Sequence, residues 1–397
     1  MPAGIGGEPV FHVVGSKTPL QGDVHDKHGR ALSCVAVNHH PRAMTLNRPL
    51  RIAQISPLIL PLPAREAGGT ERIVVDLSYA LNALGHQVTV FASADSDLDL
   101  PCVSALESLA FFEARDGHVP PGLPGVLEAA LMERLRARLA DFDIVHCHGE
   151  FFHAALLGER RRHSLTTIHW RTDELDRQLF FSAFPDLPVA AISASQAATI
   201  PAANCRGVVA HGLDPARVVP TQPSTVDDTL LFIGRMTDQK RPDRAIEIAR
   251  RCEHPLKLAG SRDPGNPYYF EHHVKPALGG TIEHVGAVDD ARKRELLSAA
   301  RALVFPIDWP EPFGLVMIEA MACGTPVIAW NNGAAPEVVE HGVTGFIVDN
   351  IDDAVAAVAR LPELDRATIR ARFLERFTAE RMARDYVALY ERLLADA

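Results

Sequence analysis

The feature that most constrains this chain is the alternation, from residue 51 onward, of short apolar runs with longer amphipathic segments. The first two runs cover residues 51–56 and 88–92. Between them, residues 70–84 place Ile73, Val74 and Leu77 near helical spacing before Gly85 ends the helix. A helix between two apolar strands is typical of a parallel sheet with crossover helices. We therefore predict an α/β fold.

The predicted strands fall into two groups, separated by a linker rich in Pro, Ser, Thr and Asp at residues 214–228. The first group continues with strands at 143–146, 166–169, 189–193 and 208–211. The second group has strands at 230–234, 256–260, 282–286, 302–306, 326–330 and 346–348, with helices at 242–252, about 290–300 and 313–322. This pattern predicts two Rossmann-like domains whose parallel sheets face each other across a cleft, and the cleft is the expected site.

Chain length agrees with this organisation, because 397 residues suit two domains of about 150–200 residues each. We place the N-terminal domain at 50–213, the C-terminal domain at 214–378, and a last amphipathic helix within 379–397. Residues 1–49 have no apolar period, so we predict a disordered extension. An alternative is that translation begins at Met44.

Charge and cysteine content exclude several classes of protein. A net charge of −10 makes the binding of duplex nucleic acid an unfavourable main function. No run approaches the roughly 20 apolar residues of a membrane span. The six cysteines form no C-x-x-C pair, which argues against a disulfide scaffold or a structural zinc site. We therefore predict a cytoplasmic protein.

The sharpest motif is WPEPFGLVMIEAMACGTPVIA at residues 309–329. Glu311 lies in a Pro-stiffened loop, a helix is predicted to begin near Phe313, and Glu319 follows about two turns along. N–H groups at a helix start form an anion site, which here would comprise those of Phe313, Gly314, Leu315 and Val316. An anion site flanked by two carboxylates suits a nucleotide sugar, with the diphosphate in the middle and hydroxyls on both sides.

A second motif follows the predicted strand at 230–234, where Arg235 and Lys240 stand five residues apart before a helix. Arg recognises phosphate oxygens with a planar fork, and Lys supplies a point charge. Together they are predicted to bind a diphosphate and to neutralise the charge that develops on it as it leaves. A basic surface loop is the alternative for this pattern taken alone.

These two motifs resemble those of the retaining glycosyltransferases of family 4, which have the GT-B fold. The resemblance extends from about residue 50 to the C-terminus. It implies that Glu311 contacts hydroxyls of the donor sugar at the reacting centre, beside Phe313, and that Glu319 binds the ribose hydroxyls. Relatives often have Gly after the Lys, whereas this chain has Arg241, which is either a third phosphate contact or a solvated residue.

The resemblance also implies roles for other loops. Gly69, in the AGGTE motif at 67–71, is expected to face the donor phosphate or the acceptor. His169 is expected to reach the donor sugar or phosphate across the cleft. Two residues at a strand end in the nucleotide half are expected near the base: Val285 and Gly286.

Three further features have alternative explanations. His146 and His148 suggest either a metal site or a strand end that lines the acceptor cleft, and we expect no metal and no cofactor. Ordinary core is the expected place of the aromatic residues Phe180, Phe181 and Phe184, with an acceptor wall or a membrane-touching face as alternatives. The basic run at 160–162 is expected to be a solvated turn, so membrane contact is at most peripheral.

The resemblance implies transfer of a hexose, with retention, from a nucleotide-diphosphate sugar to an acceptor hydroxyl. UDP is the first choice of carrier and GDP the second. The N-terminal domain would bind a glycan, lipid or small-molecule acceptor, the C-terminal domain would bind the donor, and the last helix would cross back to the N-terminal domain. A nucleotide-sugar epimerase of GT-B fold and a non-catalytic sugar-nucleotide binding protein are the alternatives. The sequence leaves the oligomeric state open.

Overall fold

The computed structural model describes residues 48–64, 68–149, 151–221 and 226–396. Residues 1–47 of the predicted extension, including the alternative start at Met44, lie outside the described residues. Arg48, where the description begins, donates a hydrogen bond to the Asp143 carboxylate at 2.9 Å. Leu50 is already buried. The described fold thus begins close to where the apolar pattern begins in the sequence.

The first sheet has seven strands within the described residues: β1 (Arg51–Ile55), β2 (Gln87–Phe91), β3 (Cys102–Val103), β4 (Ile144–Cys147), β5 (Ser164–Thr167), β6 (Val189–Ala191) and β7 (Cys205–Val208). The strands are parallel, in the order β3-β2-β1-β4-β5-β6-β7. The direction of winding reverses between β1 and β4. A crevice at the carboxyl ends of such strands is the usual ligand site of an open α/β sheet.

The second sheet has six strands in the same part of the chain: β8 (Leu230–Ile233), β9 (Leu256–Ala259), β10 (Ile282–Gly286), β11 (Ala302–Phe305), β12 (Val327–Trp330) and β13 (Gly345–Val348). These are also parallel, in the order β10-β9-β8-β11-β12-β13, and the winding reverses between β8 and β11. Apart from the edge strand β10, these strands are mainly apolar and largely buried, as expected for strands covered by helices on both faces. The predicted architecture of two parallel sheets is therefore confirmed.

The described helices connect these strands and cover the sheets. They are α1 (Gly69–Ala83), α2 (Leu109–Asp116), α3 (Leu123–Arg136), α4 (Phe152–Leu157), α5 (Leu175–Ala183), α6 (Ala194–Ala197), α7 (Pro242–Arg251), α8 (Pro267–Tyr269), α9 (Asp290–Ala299), α10 (Leu315–Ala322), α11 (Ala335–Val338), α12 (Ile351–Arg360), α13 (Arg366–Arg376) and α14 (Ala379–Asp396). On α1, the three residues that define the helical spacing, Ile73, Val74 and Leu77, are fully buried. In the described residues, none of the helices combines the length and apolar character that crossing a bilayer requires.

Several predicted boundaries were wrong by two or three residues, and three of them bear on the site. The strand predicted at 166–169 ends at Thr167, where its pairing with β6 stops, so His169 lies in the following loop. The strand predicted at 208–211 ends at Val208, which places His211 beyond it. The helix predicted to begin near Phe313 begins at Leu315, because Gly314 has a φ of 85°, outside the right-handed helical region.

Two segments that join the halves of the molecule run side by side. The Leu213 N–H donates to the Phe377 carbonyl at 2.9 Å, and the Ala379 N–H donates to the Leu213 carbonyl at 2.8 Å. A Cβ at Gly212 would lie 2.1 Å from the carbonyl oxygen of Thr378, so glycine is required for this close approach. The chain therefore crosses between the sheets twice at one place.

The last helix, α14, packs against α1 of the first half. Its apolar face is buried, including Met382, Leu389 and Leu393. The same face also buries two tyrosines, Tyr386 and Tyr390. The helix therefore brings two hydroxyl groups from the end of the described chain into the interior of the first half.

Candidate active site

Glu311 and Lys240 meet beside the start of α10, although 71 residues separate them in the sequence. The Lys240 ammonium donates to Oε2 of Glu311 at 2.6 Å. The Trp309 indole N–H donates to the same oxygen at 2.7 Å. Glu311 is only 8% exposed, and the ammonium lies 4.8 Å from the centre of the Trp309 ring. Two donors and an aromatic wall thus fix the orientation of the Glu311 carboxylate.

The start of α10 lies next in sequence to this pair. Leu315 and Val316 are the first two residues of the helix, so their N–H groups have no acceptor within it. Phe313 and Gly314 precede the helix. Two of the four N–H groups predicted to form an anion site therefore belong to the helix, and the other two belong to the loop before it.

Three contacts bring the first half of the molecule against this region. A Cβ at Gly69 would lie 3.1 Å from Cδ1 of Leu315. The ring centres of Trp170 and Trp309 are 5.0 Å apart. The third contact passes through His211, whose ring stacks on His169 at 5.1 Å and meets Phe313 edge-on at 4.9 Å. The predicted residues Gly69, His169, Phe313 and Leu315 are thus brought together.

His169 is attached to a chain of buried hydrogen bonds that the sequence motifs did not indicate. Its Nε2 and the Nδ1 of His148 share a hydrogen bond at 2.9 Å. The other nitrogen of His148 lies 2.7 Å from Oε1 of Gln54. The Gln54 amide nitrogen donates to the Tyr390 hydroxyl at 3.3 Å, and both of these residues are fully buried. The last helix therefore supports His169 through two intermediate side chains.

The same chain continues through His146. Its Nδ1 lies 2.6 Å from the Tyr390 hydroxyl, and its Nε2 lies 2.8 Å from the Thr167 hydroxyl, which also contacts the Tyr386 hydroxyl at 2.9 Å. Both nitrogens of His146 and of His148 are thus engaged by protein groups. In the part of the chain that the structure describes, no group of three or more His, Cys, Asp or Glu could hold a metal ion. The alternative of a metal at His146 and His148 does not fit this geometry.

Burial keeps these imidazoles neutral. It lowers the pKa of His169 to about 3 and holds the pKa values of His146, His148 and His211 well below the ordinary histidine range. The Nδ1 of His211 is also buried without a hydrogen-bond partner. A buried polar atom without a partner at a cleft is a feature that a ligand can satisfy.

Glu319 lies in a different environment from Glu311. It accepts hydrogen bonds from Arg72 of α1 and, at 2.7 Å, from Lys293 of α9. Arg72 also pairs with Asp290, which lies 3.1 Å from the Lys293 ammonium. These four residues line a cavity of about 230 Å³. Arg72, which the sequence analysis missed, therefore links the first half of the molecule to the predicted ribose-binding carboxylate.

Three other predicted site residues are not joined to the Glu311–Lys240 pair. No hydrogen bond or ion pair among the described residues links Arg235 to Glu311, and the Arg235 side chain is 48% exposed, 3.9 Å from Asp263. At the end of β10, Val285 is partly buried against the core. Gly286 has a φ of 77°, and its carbonyl accepts a hydrogen bond from the Gly260 N–H at 2.7 Å.

Arg241 has a structural role instead of projecting freely. Its guanidinium pairs with Asp243 at 2.7 Å and with Asp308 at 2.8 Å. Its φ of 53° lies in the left-handed region, which glycine adopts more easily than other residues. This backbone conformation explains why a Gly can stand after the Lys in relatives. It also argues against Arg241 as a third phosphate contact, because the side chain is already neutralised.

The three aromatic residues of the first half that the sequence analysis considered belong to the core. Phe180 and Phe181 are buried in a cluster with Ile168 and Val189, and Phe184 packs against that cluster. The expectation of ordinary core is confirmed for these rings. Of the basic run, Arg160 is anchored to the carbonyl groups of residues 139 and 142 and is not fully solvated.

Comparisons with known proteins agree with this geometry. The family "Glycosyltransferase Family 4" matches residues 67–221, and "Glycosyl transferases group 1" matches residues 220–376. The phosphatidyl-myo-inositol mannosyltransferase of Mycobacterium leprae is 27% identical over 82% of this chain and 90% of its own length.

Two solved structures share the fold. AviGT4, a glycosyltransferase involved in avilamycin A biosynthesis, is 27% identical, has a TM-score of 0.65, and is matched over 88% of this chain and 99% of its own. Anabaena HepE, solved in complex with UDP-glucose, is 18% identical with a TM-score of 0.63, over 88% of this chain and 100% of its own. Since the two family matches together span residues 67–376, the chain belongs to the GT-B glycosyltransferases of family 4 and is a hexosyltransferase.

Proposed function

We propose that this enzyme transfers a hexose from a nucleoside-diphosphate sugar to an acceptor hydroxyl with retention of the anomeric configuration. The observation that carries the proposal is the contact at 2.6 Å between Lys240 and Glu311 beside the start of α10. Two motifs that are separate in the sequence supply a cation for phosphate and a carboxylate for sugar hydroxyls at one place. His169 and Gly69 approach the same place from the other half.

In this proposal the diphosphate lies at the start of α10. Lys240 exchanges the Glu311 carboxylate for a phosphate oxygen, and Arg235 closes on the same group from its half-exposed position. The first N–H groups of the helix, those of Leu315 and Val316, supply further donors, with Gly314 and Gly69 allowing close approach of the backbone. The released Glu311 carboxylate then accepts hydrogen bonds from the donor sugar. Phe313 and His169 border that sugar.

The nucleoside extends toward Glu319, which binds the ribose hydroxyls, while Val285 and Gly286 contact the base. This placement requires Glu319 to exchange part of its contact with Arg72 and Lys293 for the ribose. We propose UDP as the first carrier and GDP as the second. The complex of HepE, a protein of the same fold, with UDP-glucose supports this order.

The chemical step breaks the bond between the anomeric carbon and the diphosphate oxygen and forms a bond to the acceptor oxygen on the same face. The acceptor proton passes to the leaving diphosphate, whose charge the cationic residues neutralise. His169 does not act as the general base in this proposal, because its low pKa makes it a poor acceptor of the acceptor proton. The neutral imidazole instead forms a hydrogen bond with the substrate. We propose no metal or cofactor, a cytoplasmic location, at most peripheral membrane contact, and an acceptor held by residues 50–213.

Donor binding tests the first part of this proposal. The native chain is heated with UDP-glucose, GDP-mannose and ADP-glucose in turn, and a true donor should raise the Tm by several degrees by mass action. UDP-glucose is expected to give the largest rise. If neither these three compounds nor any related sugar nucleotide raises the Tm, the proposal is refuted.

Replacing the carboxylate tests the second part. Glu311→Ala should lower kcat for transfer or donor hydrolysis by at least 100-fold, while the exposed Glu283→Ala control should match the native enzyme. NMR of the anomeric proton in the product gives the stereochemistry. Near-normal turnover by Glu311→Ala, or an inverted product, would contradict the assigned role or the retaining step.

A further inference from the structure

We infer that the acceptor of this enzyme is a hydroxyl-bearing apolar ring system rather than a sugar, with the ring system next to its reacting hydroxyl. The inference rests on the proposed function and concerns the acceptor side of the same site. Its basis is a cavity of about 470 Å³ at the carboxyl ends of β1, β4 and β5. That position is the switch point of the first sheet, where ligands usually bind.

One end of the cavity is polar and faces the donor half. Gly69, His148, Thr167 and His169 line this end. Gly69 also lies against Leu315 of α10. A hydroxyl at this end would therefore lie beside the neutral imidazole of His169 and close to the proposed position of the donor diphosphate.

The rest of the lining is mainly apolar. It includes Leu58, Leu127 and Ile168, which are buried and whose side chains cannot bond to a hydroxyl. At the mouth, Ile59 and Phe152 are 58% and 50% exposed. Exposed large apolar side chains that continue a buried apolar wall lose water contact when an apolar ligand covers them.

The charged residues of the cavity are already engaged within the protein. Arg177 pairs with Asp176 and lies over the Phe151 ring at 5.3 Å. The Glu71 carboxylate accepts backbone N–H groups, and burial raises its pKa. Glu128 also has an interaction within the protein. A sugar ring would bring several hydroxyls into this space, and each hydroxyl that exchanged water for an apolar wall would weaken binding.

The size of the cavity favours a compact ligand. A volume of about 470 Å³ lies within the range of about 300–1,000 Å³ that is typical of small-molecule sites. An apolar ring system can cover Leu58 and Ile168 without losing hydrogen bonds, whereas a sugar placed against them would lose those of its hydroxyls to water. We therefore expect the reacting hydroxyl to be attached directly to the ring system.

The test compares acceptors with the native enzyme and the donor that stabilises it. The apolar acceptors are 2-naphthol and estradiol, the sugar acceptors are glucose and maltose, and the lipid acceptor is phosphatidylinositol in phosphatidylcholine vesicles. We expect kcat/KM for at least one ring acceptor to exceed that for both sugars by 100-fold. Preferred transfer to a sugar, transfer only to the vesicle lipid, or donor hydrolysis with no ring acceptor used would each overturn the inference.

Variants at the cavity mouth test whether the preference for a ring acceptor arises from this cavity. Ile59→Asn and Phe152→Ser should raise the KM for the ring acceptor at least tenfold without changing the KM for the donor. Val126→Asn is the matched control, because Val126 is 57% exposed on the neighbouring helix α3 and does not line the cavity. Equal KM values in all three variants would overturn the inference. Failure of every sugar nucleotide to bind or be hydrolysed would instead count against the proposed function.

Discussion

At position 241, the backbone conformation determines which residue types are tolerated. The resemblance to family 4 marks Arg241 as a departure from Gly, but the motif alone does not indicate whether the side chain binds phosphate. In the structure, its left-handed φ of 53° explains why Gly suits this position, and its two carboxylate partners explain how the larger residue is tolerated. Conformation and pairing at this position follow from folded neighbours such as Asp308, which no local pattern identifies.

We predict that Arg241→Gly is nearly neutral for stability, whereas Arg241→Val is not. Glycine removes a left-handed penalty of roughly 1–2 kcal/mol and loses partly exposed ion pairs worth about 0.2–1 kcal/mol each. Valine loses the pairs and increases the penalty, so its free energy of unfolding should fall by about 2 kcal/mol. Urea denaturation measures both. A Val variant as stable as the native chain would show that the left-handed strain is absent.

The pKa of His153 predicts a second effect at the residue scale. Burial lowers this pKa to about 4, and the ring nitrogen Nε2 bonds to the Thr166 hydroxyl at 2.7 Å. Between pH 6.5 and 4 the unfolded chain therefore binds a proton that the folded chain does not, and stability falls as the pH falls. His153→Gln can keep the hydrogen bond and should reduce the slope of unfolding free energy against pH by up to about 1.4 kcal/mol per unit.

Urea denaturation at pH 7.0, 6.0 and 5.0 measures this slope. The exposed His118→Gln serves as the control and should keep the native slope. If His153→Gln keeps the native slope as well, the proton uptake belongs to other groups in the molecule.

At the scale of elements, α14 carries more than its amphipathic pattern suggests. The amphipathic pattern within 379–397 predicts a helix, and that pattern places Tyr386 and Tyr390 on the apolar face. The hydroxyls of Tyr386 and Tyr390 in fact complete a hydrogen-bond chain with His146, Gln54 and Thr167. Periodicity reports which face of a helix is buried, but it does not report which polar atoms that face meets.

We predict that Tyr390→Phe lowers both stability and catalysis. Loss of the hydroxyl leaves buried atoms of His146 and Gln54 without their partner, which costs about 1–3 kcal/mol of unfolding free energy. Because Gln54 holds His148 and through it His169, kcat should fall several-fold while the KM for the donor stays unchanged. Tyr268→Phe, at an exposed position, is the control. The kcat is measured at a temperature well below the Tm of the variant. If the variant is less stable but has the native kcat, the hydrogen-bond chain only stabilises the fold.

At the scale of the whole molecule, the sequence predicted the two sheets but not the contacts between the halves. Buried strands with continuous apolar runs, such as β8 and β11, lie within a residue or two of their predicted positions. β3, a two-residue edge strand, and the helices α2 and α3 have no such run and were not predicted. The pairing of Arg72 with Glu319 joins residues 247 positions apart, and it depends on how the halves meet, which local periodicity does not encode.

We predict that Arg72→Met opens the ligand-free enzyme. Arg72 is the α1 member of the cluster with Glu319 and Asp290, and Lys293 can still neutralise those carboxylates after the change. Loss of the contact between the halves should increase the radius of gyration measured by small-angle X-ray scattering without lowering helical content. Arg292→Met, which breaks a pair within α9, is the control. Identical scattering from both variants would mean that Arg72 does not restrain the halves.

The hydrogen bond between Gln54 and Tyr390 has a consequence for the order in which the protein is made. These residues are 336 positions apart, and at about 5–20 residues per second a ribosome needs roughly 20 s to a minute to travel between them. The first sheet can form during that interval, but its buried polar side chains lack the Tyr386 and Tyr390 hydroxyls as hydrogen-bond partners. These hydrogen bonds form only after α14 has been synthesised. Co-translational chaperones would encounter the newly synthesised first half before they form.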